Sequence, residues 1–196
     1  FTYAATGDAP RYDRLIQYRN GKLRFAEWYY GPMLWRMHNL QLSNTKKNSF
    51  YDEARMIAAF QNYDESRVDR TRANNNRNRQ AEKVYAVSVN WDALKTIGKG
   101  KLFYGIEYVY NKVGSSGTIT NISNNVVSPN ISRYPDGSTW RTSGIYASYK
   151  INLHPNITLS SGLRYSYNKL DASFDTSFIM FPYKKVKLND GALTGN

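Results

Sequence analysis

The sequence predicts an all-β fold, an antiparallel up-and-down meander of long hairpins. Three observations predict it: apolar and polar side chains alternate with a period of two, candidate strands run about ten residues, and short connections alternate with long ones. The cleanest alternation sets one apolar row against a polar row, and the apolar row comprises Ile157, Leu159, Leu163, Tyr165 and Tyr167. A helical period does not fit this segment.

The candidate strands follow one another along the chain. Clear alternation covers residues 85–91, 102–110, 145–151 and 157–168, whereas residues 34–43 and 54–63 alternate more weakly. Residues 1–6 are expected to be the last residues of a strand. A further strand is predicted near residues 186–192, which brings the total to about eight, the number that would also close a small barrel.

The connections distinguish a membrane barrel from a soluble sandwich. Three connections are short and turn-like, at residues 44–48, 92–100 and 152–156. The others are long, at residues 6–33, 64–81 and 112–140 and from residue 169 onward. Outer-membrane barrels have short periplasmic turns, long external loops and strands of this length. A soluble sandwich or jelly roll gives no reason for such regularity but remains the alternative.

Aromatic side chains cluster near the ends of the predicted strands. We expect them to form girdles at the two membrane interfaces. The residues at the loop side are Tyr63, Tyr110 and Trp140 together with Tyr167, and Trp91 lies at the turn side.

Composition excludes several classes of protein. The 196 residues contain 27 Lys and Arg against 15 Asp and Glu, a formal charge of +12, and no cysteine. Without cysteine the chain cannot hold a disulfide, a catalytic thiol or a thiolate-ligated metal. No apolar run reaches the roughly 18 residues of a membrane-spanning helix. His38 and His154 lack the spacing of a metal pair, and no nucleophile or acid–base pair presents itself. We therefore expect neither an enzyme nor a cofactor.

Four segments carry a family resemblance. Residues 8–15 (DAPRYDRL), 18–32 (YRNGKLRFAEWYYGP), 102–113 (LFYGIEYVYNKV) and 188–195 (LNDGALTG) resemble, in this order, the barrel domain of TonB-dependent outer-membrane receptors of the Bacteroidetes type. The resemblance implies a transmembrane barrel of about 22 strands. Residues 1–196 would be an interior part of that barrel domain, with the plug domain, the TonB box and the remaining strands outside them.

The resemblance also implies a function. The parent protein would lie in a bacterial outer membrane and take up a scarce nutrient, such as a ferric siderophore, haem, cobalamin or a glycan. Its partners would be the nutrient ligand, outer-membrane lipid with lipopolysaccharide, and the TonB–ExbB–ExbD complex, which would act through segments outside this chain. Two alternatives remain: a passive porin-type barrel, and a soluble basic β-domain that binds nucleic acid.

Aromatic and basic residues of the predicted extracellular loops are the candidate ligand-binding residues, because arginine binds phosphate and carboxylate groups bidentately and aromatic rings pack against ligands. They are Trp28, Tyr29, Tyr30, Arg67, Arg70, Arg72, Arg77, Arg79, Tyr134 and Trp140. The run from Arg67 to Arg79 fits a solvated loop, a contact with lipopolysaccharide or ligand, or, in a soluble protein, nucleic acid. Glu107, Lys150 and Arg164 lie on the polar faces of their strands, so we expect them to face a barrel lumen.

Overall fold

The computed structural model describes residues 1–196, which form thirteen strands and one short helix. Eleven of the strands belong to a single sheet. In chain order the elements are β1 (Thr2–Ala5), β2 (Ala9–Pro10), α1 (Tyr12–Leu15), β3 (Tyr18–Arg19), β4 (Lys22–Leu23), β5 (Phe25–Tyr30), β6 (Leu34–Asn44), β7 (Glu53–Thr71), β8 (Asn76–Ile97), β9 (Gly100–Asn121), β10 (Val127–Asn130), β11 (Ser138–His154), β12 (Ile157–Ser173) and β13 (Lys185–Gly195).

The predicted meander is confirmed. Hydrogen-bonded neighbours follow the order β1-β6-β7-β8-β9-β11-β12-β13, every pair is antiparallel, and the sheet is not closed. One end of the sheet carries the connections at residues 45–52, 98–99 and 155–156, and we call it the turn end. The opposite end carries the connections at residues 72–75, 122–137 and 174–184, and we call it the loop end.

Three of the four long connections predicted from the sequence, at residues 64–81, at 112–140 and from 169 onward, are more than half strand. β7 has 19 residues and β8 and β9 have 22 each, so only residues 72–75 separate β7 from β8. The prediction of a long loop at residues 64–81 is therefore wrong. Polar side chains that suggested a loop bond to each other across the ladder instead, as Asn78 does with Asp69 and Arg67 does with Gln80. These strands are about twice as long as the roughly ten residues that a membrane-crossing strand needs.

One face of the sheet is apolar and solvent-exposed. Ile106, Ile145 and Leu163 lie on this apolar face with 53%, 57% and 62% of their surface exposed. Only 13 of 196 residues are buried, and the sheet forms a single layer. The sandwich alternative is therefore wrong, because its strands would bury their apolar side chains against a second sheet. The chain has one helix, α1, and it is too short to cross a membrane.

The opposite, polar face carries the charges singled out from the sequence. Glu107, Lys150 and Arg164 all lie on it, and the Arg164 guanidinium pairs with the Glu107 carboxylate across Gly144. On the same face the Tyr146 hydroxyl donates to Asp92 Oδ1 at 2.5 Å. The three charges thus lie on one face of the sheet, and the exposure of that face to a lumen stays a prediction.

The predicted aromatic girdles are correct only in part. Trp91, Tyr110 and Tyr167 lie on the apolar face, and Trp91 packs edge-on against Tyr104 at 5.6 Å between ring centroids. Tyr63 and Trp140 lie on the polar face, because each is an odd number of positions away from the residues of its strand that form the apolar face. There the Tyr63 hydroxyl bonds to Glu65 Oε2 at 3.1 Å.

The turn end is tied together by Asp52. Its carboxylate accepts hydrogen bonds from the Thr96 amide at 2.8 Å and from Lys95 Nζ at 3.0 Å. The Thr96 bond, followed by the Lys95 contact, lowers the pKa of Asp52 to about 2. The connection at residues 45–52 is thereby fixed against β8.

Candidate ligand site at the loop end

Aromatic residues of β5 reach the polar face at the loop end. Trp28 and Tyr30 are two positions apart, so both point to the same side of the strand, and their rings meet edge-on at 5.2 Å. β5 pairs with the loopward part of β7, which brings Arg67 directly opposite Tyr30. Trp28 is 8% exposed. A buried indole therefore forms the floor of this site.

Three guanidinium groups surround the Trp28 ring. Their central carbons lie 5.4 Å (Arg11), 5.9 Å (Arg14) and 5.9 Å (Arg67) from the ring centroid, within the range of cation–π attraction. Arg11 Nη1 also donates to the Tyr30 hydroxyl at 3.3 Å. Helix α1 contacts β5 and carries Arg14, and Arg11 immediately precedes it. We call Arg11, Arg14, Trp28, Tyr30 and Arg67 the arginine–tryptophan cluster.

Positive charge exceeds negative charge in this cluster. The Asp13 carboxylate accepts two bonds of 2.7 Å from Arg11 and lies 3.8 Å from Arg14. The hydrogen bonds from Arg11 hold the pKa of Asp13 below its usual range. Arg67 bonds only to the Gln80 amide and belongs to no ion pair. Asp69, directly opposite Trp28, is a second carboxylate on this face and accepts a hydrogen bond from Asn78 at 3.2 Å. Three cations thus face two carboxylates, and the remaining positive charge suits an anionic carboxylate or phosphate group.

A second polar group lies beside this cluster on the same face. Glu65 and Glu82 are direct partners across β7 and β8. Arg133, from the 122–137 connection, reaches over the sheet and donates to Glu65 Oε1 at 3.0 Å. Glu82 is only 2% exposed, its Oε1 lies 3.5 Å from Ser115 Oγ, and its Oε2 has no hydrogen-bond partner. Burial, strengthened by the nearby Glu65 charge, raises the pKa of Glu82.

The raised pKa of Glu82 predicts how stability depends on pH. In the folded protein the Glu82 carboxyl group holds its proton to a higher pH than in the unfolded chain, where its pKa is about 4.5. Glu82 therefore destabilises the fold progressively as the pH rises from the unfolded value through the folded one. We expect Glu82→Gln to remove this loss and to be more stable than the parent at neutral pH. Urea unfolding at pH 4 and pH 7 measures the free energy of unfolding of both proteins. If the variant kept the pH dependence of the parent, Glu82 would not be its cause.

The structure divides the sequence-predicted ligand residues among several places. Trp28, Tyr30 and Arg67 meet in the arginine–tryptophan cluster. Tyr29 and the basic residues Arg70, Arg77 and Arg79 lie on the other side of the sheet, where Glu27 pairs with Arg70 at 2.8 Å and with Arg77 at 3.8 Å.

The remaining candidates lie apart from the cluster. Arg72 is at the tip of the β7–β8 hairpin, Tyr134 is in the 122–137 connection under Arg133, and Trp140 is on the polar face of β11. Of all ten candidates only Arg72 and Tyr134 lie in connections, so the prediction that they occupy loops is wrong for the others. The basic run from Arg67 to Arg79 does not form one surface, because strand alternation places its members on opposite faces.

Sequence reasoning missed Arg11, Arg14, Glu82 and Arg133 as site residues. The spacing of Trp28 and Tyr30 indicates that they share a face, but their arginine partners come from α1 and β7. Those contacts depend on a strand register and a loop path that no local pattern contains. The site is thus a product of tertiary structure.

Comparisons with known proteins define the fold and no more. No known protein family matches the chain, and no curated protein matches its sequence. Among solved structures, the copper transporter OprC is similar, with a TM-score of 0.72 and 9% sequence identity over 86% of this chain. The chain spans 27% of the length of that transporter. Its fold is accordingly that of part of an outer-membrane barrel.

Proposed function

We propose that the chain is a barrel segment of an outer-membrane transporter, with the apolar face against lipid and the polar face along the passage. The observation that carries this proposal is the single-layer sheet, which exposes an apolar face on one side and a ladder of charged groups on the other. An apolar surface of this extent is unfavourable in water. In a bilayer the same surface would contact hydrocarbon in place of water, and barrel closure would pair the two sheet edges.

The polar face suits passage of a solute. Its polar groups are paired, as charges in a barrel interior are: Tyr146 donates a hydrogen bond to Asp92, and Arg164 forms an ion pair with Glu107. The arginine–tryptophan cluster lies at the loop end of this face, where a solute arriving from outside meets it first. We infer uptake of a scarce nutrient that carries anionic groups, driven by TonB through segments outside this chain.

Copper, the cargo in the name of the similar structure, is not carried over to this chain. No three His, Cys, Asp or Glu side chains come together in a group that could hold a metal ion. At 9% identity the neighbour supports the fold alone. The nutrient is therefore argued from the charge of the cluster.

Membrane topology tests the location, because the chain has no native cysteine. Ser123→Cys lies at the loop end and Lys99→Cys at the turn end, and both positions are exposed. On intact cells we expect an impermeant maleimide to label Ser123→Cys only, and Lys99→Cys only after the outer membrane is permeabilised. Labelling of both positions on intact cells would contradict the proposal.

Energised uptake tests the transport step. In cells producing the protein, we expect radiolabelled haem or ferric citrate, both anionic, to accumulate, and a protonophore to abolish the accumulation. Neutral maltooligosaccharides should not accumulate. Arg67→Glu should lower uptake at least about 10-fold, the scale of one lost charged hydrogen bond. Arg79→Glu, on the opposite face, is the matched control. Uptake that survives the protonophore would indicate a passive barrel, and no uptake of either anion would overturn the anionic nutrient.

A further inference from the structure

The connection at residues 122–137 ends in a segment that crosses the polar face, and we call residues 131–136 the strap. Gly117 lies on the polar face of β9, where a Cβ would overlap the Ile131 carbonyl group. On β8 beside it, Gln80 Nε2 donates to the Ile131 carbonyl oxygen at 3.4 Å. The strap therefore begins above β9 and extends over the polar face towards β8.

Three further contacts hold the strap against the sheet. The Tyr134 amide donates to Ser115 Oγ at 3.2 Å, and the Asp136 carboxylate accepts a hydrogen bond of 2.8 Å from the Ser115 amide. Arg133 reaches across β8 to Glu65 of β7, and the two side chains form an ion pair of 3.0 Å. The strap is thus fixed to β9 at two points and to β7 by one arginine.

Glu82 lies beneath the strap. The register places it between Glu65 and Ser115, two residues that the strap contacts. It is almost completely buried, although the sheet has a single layer. Glu107 lies on the same face farther towards the turn end, outside the strap, and 30% of its side chain is exposed. The strap is therefore the cover that buries Glu82.

The closed strap fits a neutral Glu82 better than an ionised one. Glu82 Oε1 has only the Ser115 hydroxyl, at 3.5 Å, and Oε2 has no hydrogen-bond partner. An ionised carboxylate has about four lone-pair sites to satisfy, and burying it without partners is costly. Lifting the strap would expose both oxygens to water.

The charges around Glu82 come from β7 and from the strap, since its neighbours on the polar face of β8 and β9 are uncharged. The charged and titratable groups are Tyr63, Glu65 and Arg67 of β7 and Arg133, Tyr134 and Asp136 of the strap. Burial raises the pKa of Glu82 and the Glu65 charge adds to this effect, whereas Arg133 and Arg67 oppose it. Because burial outweighs the two arginines, Glu82 keeps its proton to a higher pH while the strap is closed.

We propose that the strap is a pH-sensitive cover, which lies on the polar face while Glu82 is protonated and lifts from it when Glu82 is ionised. This switch needs neither lipid nor a nutrient, and it therefore goes beyond the proposed function. Gln80 bonds both to the strap and to Arg67 of the arginine–tryptophan cluster. A strap that closes in acid therefore covers the polar face next to the anion site.

Hydrogen exchange tests the proposal on the unsubstituted chain. The full chain in detergent micelles is exchanged at pH 5 and pH 8, and the protection factors of the Tyr134 and Ser115 amides are corrected for the intrinsic effect of pH. Both amides are hydrogen-bonded in the closed strap. We expect their protection to fall at least about 10-fold from pH 5 to pH 8, the scale of one unsatisfied buried polar group, while the β8–β9 ladder keeps its protection.

Three substitutions assign the effect to Glu82. Glu82→Gln keeps the shape of the side chain but cannot ionise, so its strap should stay protected at both pH values. Glu53→Gln removes an exposed carboxylate at the turn end and should keep the pH dependence of the parent. Arg133→Gln removes the ion pair with Glu65 and should lower the protection of the strap at pH 5 as well.

The contrary outcomes are distinct. Equal protection of the parent at both pH values, or a fall that persists in Glu82→Gln, would overturn the proposal. Higher protection at pH 8 would overturn it too, because the two arginines would then hold an ionised Glu82 under the closed strap. Protection restored at pH 8 by calcium would replace the proton switch with a cation site. Loss of protection across the whole β8–β9 ladder would show unfolding in place of strap movement. None of these results bears on the lipid contact of the apolar face.

Discussion

Val89→Arg will lower the free energy of unfolding in phospholipid bilayers by about 2–4 kcal/mol, whereas Asn90→Arg one residue away will lower it by less than about 1 kcal/mol. Val89 lies on the apolar face between Ala58 and Tyr108. An arginine there must enter hydrocarbon or distort the bilayer. Asn90 lies on the polar face opposite Glu107, so a new guanidinium stays out of the apolar face and can share the Glu107 carboxylate with Arg164.

The two substitutions are matched in strand, depth and chemistry, and only the face differs. Urea titration in phospholipid vesicles, followed by tryptophan fluorescence, gives both free energies. Equal destabilisation by the two arginines would show that the faces do not differ in environment. A larger effect of Asn90→Arg would reverse their assignment.

The second large effect concerns Gly105, where the polar face has no room for a side chain. A Cβ at this position would lie 2.5 Å from the Trp91 carbonyl oxygen and 2.8 Å from the Tyr146 ring. The backbone of β8 cannot yield without breaking the ladder, and displacing Tyr146 removes its hydrogen bond to Asp92. We expect Gly105→Val to destabilise the fold by about 3 kcal/mol, from overpacking and the lost hydrogen bond together.

Gly114, also in β9, is the control for Gly105. A Cβ there meets its nearest neighbour at 3.8 Å, an ordinary contact. Gly114→Val should be neutral or slightly stabilising, because valine favours a strand and glycine does not. Unfolding of the two variants in the same vesicles compares them. Equal stabilities would mean that Tyr146 does not lie over Gly105 as described.

Alternation predicted the part of the fold that has one apolar face, because every second side chain of a strand lies on the same face. Residues 157–168, 145–151 and 102–110 were each assigned to a strand for this reason, and each lies within one. Alternation did not predict strands at residues 64–81, because polar side chains lie on both faces there and no apolar row alternates with a polar one. These residues form strands, and their polar side chains are hydrogen-bonded across the ladder, as Asn78 is to Asp69.

The candidate site was less accessible to sequence reasoning. Trp28, Tyr30 and Arg67 were among the predicted residues, since aromatic and basic side chains in an exposed region suggest ligand contact. Composition along the chain could not reveal that Arg67 faces away from Arg70. The two residues lie on opposite faces because they are three positions apart in one strand. This separation can be predicted only when the segment is recognised as a strand. The contribution of Arg11 and Arg14 required the packing of α1 on β5.

The central claim is that one face of the sheet contacts lipid and the other does not, and the four tryptophans test it directly. Trp91 lies on the apolar face, and Trp28, Trp35 and Trp140 lie on the polar face. Single-tryptophan variants, with phenylalanine at the other three positions, are reconstituted in vesicles containing lipids brominated on the acyl chains. We expect strong quenching of Trp91 fluorescence and little quenching of the others. Quenching of Trp35 or Trp140 as strong as that of Trp91 would contradict the account.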